Sequence, residues 1–225
     1  MPKTSVIIPA LNEAGNIYSL VQEVQAILPG DVVVVDNGST DTTAADARAG
    51  GARVVSEARR GYGFACAAGV AACPESDVLV FLDGDYSYYP ADLLAIIAPV
   101  LAGEAELCLG SRFLGGIDPG AMPSHQRFGN WIVARLTNGL YGLSITDLGP
   151  FRSVSRDWLS TLGMREMTFG WPTEMLVKTA RKGGRIVEAP VRYHNRRVGQ
   201  SKVSGTLRGS ILAAWYILGV TLRYA

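Results

Sequence analysis

The stretch Val78-Leu79-Val80-Phe81-Leu82-Asp83-Gly84-Asp85 decides how the rest of the chain is read. Its apolar run suits a short buried strand and is too short for most helices. Two aspartates follow with only Gly84 between them. A charge at the end of a buried strand is costly unless something pairs with it. At a strand's carboxyl edge, two such side chains can face a crevice and hold a hard divalent cation, magnesium or manganese, through oxygen ligands. Gly84 lets a ligand or a neighbouring backbone come close. Asp-Gly is also a common turn dipeptide, so this stretch alone leaves a plain turn open.

Working outward, Ser5-Val6-Ile7-Ile8 reads as a first strand, stopped by Pro9. Ile17, Leu20, Val21, Val24, Ile27 and Leu28 then recur at helical spacing, with Asn12 as N-cap and Pro29-Gly30 as the stop. Val32 to Val35 is β-branched throughout, as in an interior parallel strand. It ends in Asp36-Asn37-Gly38-Ser39-Thr40-Asp41, again a carboxylate at a strand end, then a turn and a helix cap. A short Ala-rich helix runs to Gly50-Gly51, and Arg53 to Ser56 is a shorter strand. Gly61 and Gly63 open a helix of small residues, where backbone N–H groups can cradle phosphate. Cys66 stands where a dinucleotide fingerprint needs its third glycine, which disfavours a nicotinamide-dependent oxidoreductase. Pro90 opens a helix to about Leu101, which Pro99 is expected to bend or end. Leu107 to Arg112 is the next strand.

Repeated strand–helix units predict an α/β fold, a mostly parallel sheet with helices on both faces. Ligands bind such sheets at the carboxyl ends of the strands, where Asp36, Asp83 and Asp85 all fall. The second half is less regular. A Gly- and Pro-containing loop over 115–124 precedes a helix with Phe128, Trp131, Ile132, Arg135 and Leu136. Thr146 to Arg152 is an acidic loop leading into a strand. Trp171-Pro172-Thr173-Glu174 opens another helix, Arg185 to Tyr193 is a strand, and Arg196 to Lys202 is a basic polar loop.

The 225 residues are 48% hydrophobic and 18% charged, enough apolar content for one sizeable core. A net charge of +1 gives no sign of a nucleic-acid partner. Cys66, Cys73 and Cys108 lack metal-site spacing and read as small core residues in a reducing compartment. His125 and His194 also lack metal-ligand spacing. The N-terminus runs straight into a strand with no signal-peptide pattern. The apolar stretch Ile211 to Val220 would reach roughly 15 Å as a helix, against a hydrocarbon core of about 30 Å. The expectation is a domain over 1–205 and an apolar helix over 206–225 that packs on it or lies on a membrane surface, where Trp215 and Tyr216 are either core or interfacial anchors.

Taken together, several motifs resemble the family 2 glycosyltransferases: Val6 to Glu13, Val35 to Asp41, and above all Asp83-Gly84-Asp85 as a D-x-D motif. Gly110-Ser111-Arg112, Asp147 with Gly149-Pro150-Phe151-Arg152, and Arg196-x-x-Gly199-x-Ser201-Lys202 resemble the dolichyl/polyprenyl-phosphate sugar synthase branch. The resemblance implies a GT-A fold and a UDP- or GDP-sugar donor held by Pro9, Asn12, Glu13, Asp36, Gly38 and Ser39. It also implies a divalent metal, magnesium or manganese, on Asp83 and Asp85. Asp85, Arg112, Arg127 and Asp147 are the implied catalytic set. Arg112 and Arg127 would hold a polyprenyl phosphate acceptor, and guanidinium forks suit phosphate. Arg196, Ser201 and Lys202 match a loop that closes over the donor diphosphate.

A phosphate acceptor is already an anion and needs no general base, and in-line attack would invert the anomeric centre. A hydroxyl acceptor would need a base, for which Glu174 stands at a suitable point in the chain. A sugar-nucleotide sensor without turnover is a further alternative. The sequence departs from the family pattern in having Asn37 for a second aspartate and Ser87 for a glutamine. It also lacks the transmembrane helices of many members. That leaves membrane contact, at a cytoplasmic face, to the C-terminal helix and the basic loop.

Overall fold

A computed structural model of the protein describes residues 2–198 and 207–224, without the side chains of 207–214. Strands β1 (Thr4–Ala10), β2 (Asp31–Asp36), β3 (Arg53–Ser56), β4 (Val78–Phe81), β5 (Leu107–Ser111), β6 (Arg152–Ser155) and β7 (Ile186–Pro190) form one sheet in the order β3-β2-β1-β4-β6-β5-β7. Its helices are α1 (Ala14–Ile27), α2 (Thr43–Ala49), α3 (Tyr62–Ala72), α4 (Leu93–Leu101), α5 (Arg112–Gly115), α6 (Ser124–Tyr141), α7 (Arg156–Leu162), α8 (Trp171–Arg181) and α9 (Leu207–Arg223).

The middle residues of β1 and β2 and all of β4 are apolar because both faces of the sheet are covered there. Successive residues of a strand point to opposite faces. Val6, Ile8, Val32, Val34, Val78 and Val80 pack with α1 and α4 in one core. Ile7, Val33, Val35, Leu79 and Phe81 pack with α3, α7 and α8 in the other. On α1 the buried stripe is Ile17, Leu20, Val21 and Val24, each contributing about 1.5–3 kcal/mol relative to an exposed side chain.

One strand sets the site. β6 runs antiparallel to both of its neighbours, with Arg152 opposite Phe81 and Leu109. The start of an antiparallel strand lies at the carboxyl edge of the strands beside it. The loop over 146–151 is therefore delivered to the edge where β4 releases Asp83 and Asp85. The other adjacent pairs in the sheet are parallel.

Several local expectations are corrected. Glu13, not Asn12, occupies the N-cap position of α1. Asn12 has a left-handed backbone (φ 52°) and its Oδ1 accepts from the Thr40 N–H. Asp41 of the next loop accepts from the Ala14 N–H instead. Pro99 lies inside α4, in its last turn, and the helix runs two residues further to Leu101. Pro90 opens a 3-10 turn over Pro90–Asp92 that leads into α4. The strand expected to reach Tyr193 stops at Pro190, and Tyr193 makes isolated bridges to Tyr88 and Ile117. α7, which the sequence reading did not anticipate, starts on a Ser155 cap that accepts from the Trp158 N–H.

α9 contacts α8 and α6. Tyr141 donates to the Thr221 carbonyl at 2.5 Å, and Val220 and Thr221 are buried, while Trp215 is 75% exposed. No helix among the described residues is long and apolar enough to cross a membrane. The three cysteines are buried and free.

Candidate active site

The carboxyl ends of β1 and β2 meet in a cradle built from turn chemistry. Asp36 Oδ1 accepts from the Ser39 N–H at 2.9 Å, which folds the chain back after β2. Gly38 sits at φ 81°, a left-handed conformation that favours glycine. Ser39 Oγ accepts from the Asn12 N–H at 2.9 Å, so this loop and the end of β1 are tied together. Pro9 pairs with Val35 and the register runs one residue further, to Ala10 opposite Asp36, so Pro9 does not stop β1 as expected. Glu13 is buried, with its N–H donated to Thr43 Oγ1 and its Oε2 accepting from Asn16. Six expected donor residues thus share one edge.

Asn37 explains its own departure from the family pattern. Its Nδ2 donates to the carbonyls of Glu57 and Arg59 at 2.9 and 2.7 Å, and its Oδ1 accepts from the Gly61 N–H at 2.9 Å. An aspartate has no N–H for those two carbonyls.

Beside this cradle, Gly84 packs against the end of β1, where an added Cβ would sit 3.2 Å from the Pro9 carbonyl. Asp83 Oδ1 accepts from Tyr62 at 3.2 Å. Burial, then the charge of Asp85, push the Asp83 carboxyl up to about 7. Asp85 Oδ1 accepts from the Ser87 hydroxyl and N–H at 2.6 and 3.0 Å. Ser87 is thus an orienting partner of Asp85. Asp85 Oδ2 takes the Arg196 guanidinium at 2.5 Å, and the same guanidinium reaches Glu13 at 4.0 Å. Tyr86 follows at φ 58°, a strained conformation for an aromatic residue, with the Arg197 guanidinium 3.6 Å from its ring centroid.

The pair fits a divalent cation on two counts. Its donor set is two carboxylates, and a cationic group, the Arg196 guanidinium, is already drawn to Asp85 Oδ2. No cluster of three or more His, Cys, Asp or Glu suits a metal among the described residues. A hard cation here would complete its shell with diphosphate oxygens and water.

A second charged cluster is assembled by β5 and the loop before β6. Arg112 Nε and Nη2 both donate to Asp147 at 2.7 Å, and its backbone N–H donates to the same carboxylate at 2.9 Å. Asp147 is fully buried and also accepts from the Leu148 N–H. Its carboxylate thus fixes the orientation of Arg112. Tyr193 lies under the Arg112 guanidinium at 5.2 Å. Arg152 is buried and donates to the carbonyls of Pro172 and Gly149. Burial lowers its pKa to about 10. Arg127 is exposed in the first turn of α6. Asn130, one turn further on, is bonded both ways to the loop that holds Asp147.

Some expected roles find their groups already engaged. The Gly61 N–H goes to Asn37 and the Gly63 N–H to the Met167 carbonyl at 3.1 Å, which leaves neither for phosphate. Both glycines are needed for contact instead, since a Cβ at Gly61 would lie 2.4 Å from the Met167 carbonyl oxygen. Glu174 is fully buried and accepts from the N–H groups of Arg165 and Glu166, from Lys178 and from Tyr224, all within 2.8 Å. Burial raises its pKa, but these bonds outweigh it and the net shift is downward. Both of its oxygens are engaged in this network. Ser201 and Lys202 lie outside the described residues.

The sequence reading gave no role to Tyr62 or Tyr193, took Ser87 only as a departure from the family pattern, and missed the structural weight of Arg152. Tyr62 stands between the two glycines it noted, and Arg152 is the first residue of β6 and its one charge, ahead of Ser153, Val154 and Ser155.

A profile of glycosyl transferase family 2 matches residues 5–163. An uncharacterized glycosyltransferase of Mycobacterium tuberculosis is 37% identical over 210 residues, covering 93% of each chain. A dolichyl-phosphate hexose transferase of Haloferax volcanii is 32% identical, covering 92% of this chain and 90% of its own. An undecaprenyl-phosphate mannosyltransferase of Micrococcus luteus is 31% identical, covering 97% and 94%. Among solved structures, glucosyl-3-phosphoglycerate synthase of M. tuberculosis superposes with a TM-score of 0.79 at 24% identity, covering 99% of this chain and 80% of its own. With its GT-A fold and these relatives, the chain belongs to glycosyl transferase family 2, in its dolichyl/polyprenyl-phosphate sugar synthase-like branch.

Proposed function

We propose that the protein moves a hexose from a UDP- or GDP-sugar to a polyprenyl phosphate at a membrane surface, with inversion at the anomeric carbon. The observation that carries this reading is Arg112, a guanidinium fixed by a buried carboxylate next to the D-x-D pair, while Glu174 has no oxygen free to act as base. Two relatives bear names of lipid-phosphate sugar transferases, which supports the acceptor. Solved structures of glucosyl-3-phosphoglycerate synthase hold manganese with UDP or UDP-glucose, which supports a divalent metal and a nucleotide-sugar.

In this reading Asp36, Ser39 and Asn12 hold the nucleoside end of the donor. Asp83 and Asp85 hold magnesium or manganese, which supplies charge neutralisation on the departing diphosphate. Arg112 and Arg127 hold the acceptor phosphate near the anomeric carbon against the repulsion of the donor. A phosphate oxygen attacks that carbon, the bond to the diphosphate breaks, and its electron pair leaves with the diphosphate. Arg196 moves its charge from Asp85 to the diphosphate once metal and donor are in place.

The test is a transfer assay with labelled UDP- and GDP-hexoses, manganese and a short-chain polyprenyl phosphate. Label should pass into an organic phase, and Glu174→Gln should leave the rate per folded molecule unchanged. Transfer to a sugar hydroxyl, with none to the lipid phosphate, would defeat the reading.

A further inference from the structure

The backbone that carries Arg196 is tied down on both sides of that residue. Before it, the His194 N–H donates to the Ser87 carbonyl at 3.0 Å, and the His194 ring lies 4.4 Å from that of Tyr89. After it, Val198 is held by α1. Asn16 Oδ1 accepts from the Val198 N–H at 3.2 Å, and Asn16 Nδ2 donates to the Val198 carbonyl at 3.1 Å. The same Nδ2 donates to Glu13 Oε2 at 2.9 Å. Asn16 is 3% exposed. A buried amide that uses both of its ends on one residue's backbone fixes that residue as a neighbouring strand would.

Gly15 makes this tie possible. A Cβ there would sit 2.9 Å from Val198 Cγ1 and 3.0 Å from Val198 Cβ. A rotamer change moves Cγ1 but leaves Cβ where it is, so a methyl at position 15 has to push the Val198 backbone away from α1. The contacts form a circuit. Glu13 accepts from Asn16 and lies 4.0 Å from the Arg196 guanidinium, and Asn16 binds the residue two beyond Arg196. Arg196 in turn lies on Asp85 Oδ2.

We infer that Asn16, with Gly15 beside it, is a positioning residue that sets the Arg196 guanidinium over Asp85 through the backbone of Val198. The inference rests on the proposed function for its consequence, since Arg196 then stands in the cation's place until the donor diphosphate draws it off. Its geometry rests on α1 and residues 194–198 alone.

The test compares Asn16→Ala and Gly15→Ala, each alone and combined with Arg196→Gln. Gly15→Ala removes no hydrogen-bonding group, and alanine favours a helix over glycine, so its Tm should hold or rise and it controls for folding. Both single variants should be cleaved by trypsin after Arg197 roughly tenfold faster than wild type, because the tie no longer opposes local opening. Both should bind manganese about fivefold tighter without nucleotide, and should raise donor KM more than they lower kcat. With Arg196→Gln already present, neither should change manganese affinity further, because the effect runs through that guanidinium. Cleavage at the wild-type rate in Gly15→Ala, or a gain in metal affinity that persists in the Arg196→Gln background, would overturn the inference. Wild-type protein that binds no manganese would sink the metal reading alone. The tie would then stand on faster cleavage after Arg197 in both variants and fall without it.

Discussion

Replacing Arg196 with glutamine should tighten metal binding in the donor-free protein and weaken donor binding. Arg196 Nη2 lies 2.5 Å from Asp85 Oδ2, with the two side chains 18% and 16% exposed. A hydrogen bond between charged groups nets about 1.5–3 kcal/mol, and the remaining contact with water places this one at the lower end. A divalent cation approaching Asp85 must displace that bond. At about 1.4 kcal/mol per factor of ten, its loss predicts roughly tenfold tighter metal binding. Asp85 would stay aimed, because Ser87 holds its other oxygen through two hydrogen bonds. The assay is a manganese titration without nucleotide, read by the paramagnetic resonance of free manganese, followed by donor KM for the same variant. Metal affinity that is unchanged or weaker in Arg196→Gln would refute the idea that this guanidinium occupies the cation's place.

Other consequences follow from particular groups. The Asp83 carboxyl is raised to about 7 by burial and by Asp85, and a cation needs it ionised, so metal affinity should fall as pH drops through that value. Folded-state pKa above the unfolded value of about 3.9 means that the metal-free protein binds the proton more tightly when folded, so this carboxyl's contribution to stability is lost as pH rises from about 4 through 7. Manganese should therefore raise Tm more at about pH 8 than at about pH 5.5, and the reverse order would contradict the assignment. Asn37→Asp, although it restores the usual family residue, removes two N–H donors from the Glu57 and Arg59 carbonyls. It should cost about 2–3 kcal/mol in denaturant unfolding. Glu174→Ala strands Lys178 and two backbone N–H groups in a buried site, and should cost about 3–5 kcal/mol while kcat per folded molecule holds. Asp147→Asn frees Arg112 from its bidentate partner, and kcat/KM for the lipid phosphate should drop about 10²-fold with little change in donor binding.

The sheet was legible because a strand covered on both faces must be apolar at every position, as Val32 to Val35 and Val78 to Phe81 are. The edge holding Asp36, Asp83 and Asp85 was legible for a related reason, since charges appear there only where the strands end. The antiparallel sense of β6 was not, because Arg152-Ser153-Val154-Ser155 reads the same in either direction. Long-range pairings were also hidden. Nothing local to Glu174 reveals that Tyr224, 50 residues away, donates to it at 2.6 Å. Nothing near Asn37 points to the carbonyls 20 and 22 residues on. Arg196 was chosen from its motif, but its placement on Asp85, 111 residues away, needed the fold.

The central claim is that two aspartates at the end of β4 drive sugar transfer to a lipid phosphate. Release of nucleoside diphosphate from UDP- and GDP-sugars tests it most directly, measured with manganese, with and without a short-chain polyprenyl phosphate, for wild type and Asp85→Ala. Release that rises only when the lipid phosphate is present, and vanishes in Asp85→Ala, is the predicted result. Release that ignores the lipid phosphate, or that survives Asp85→Ala, would contradict it.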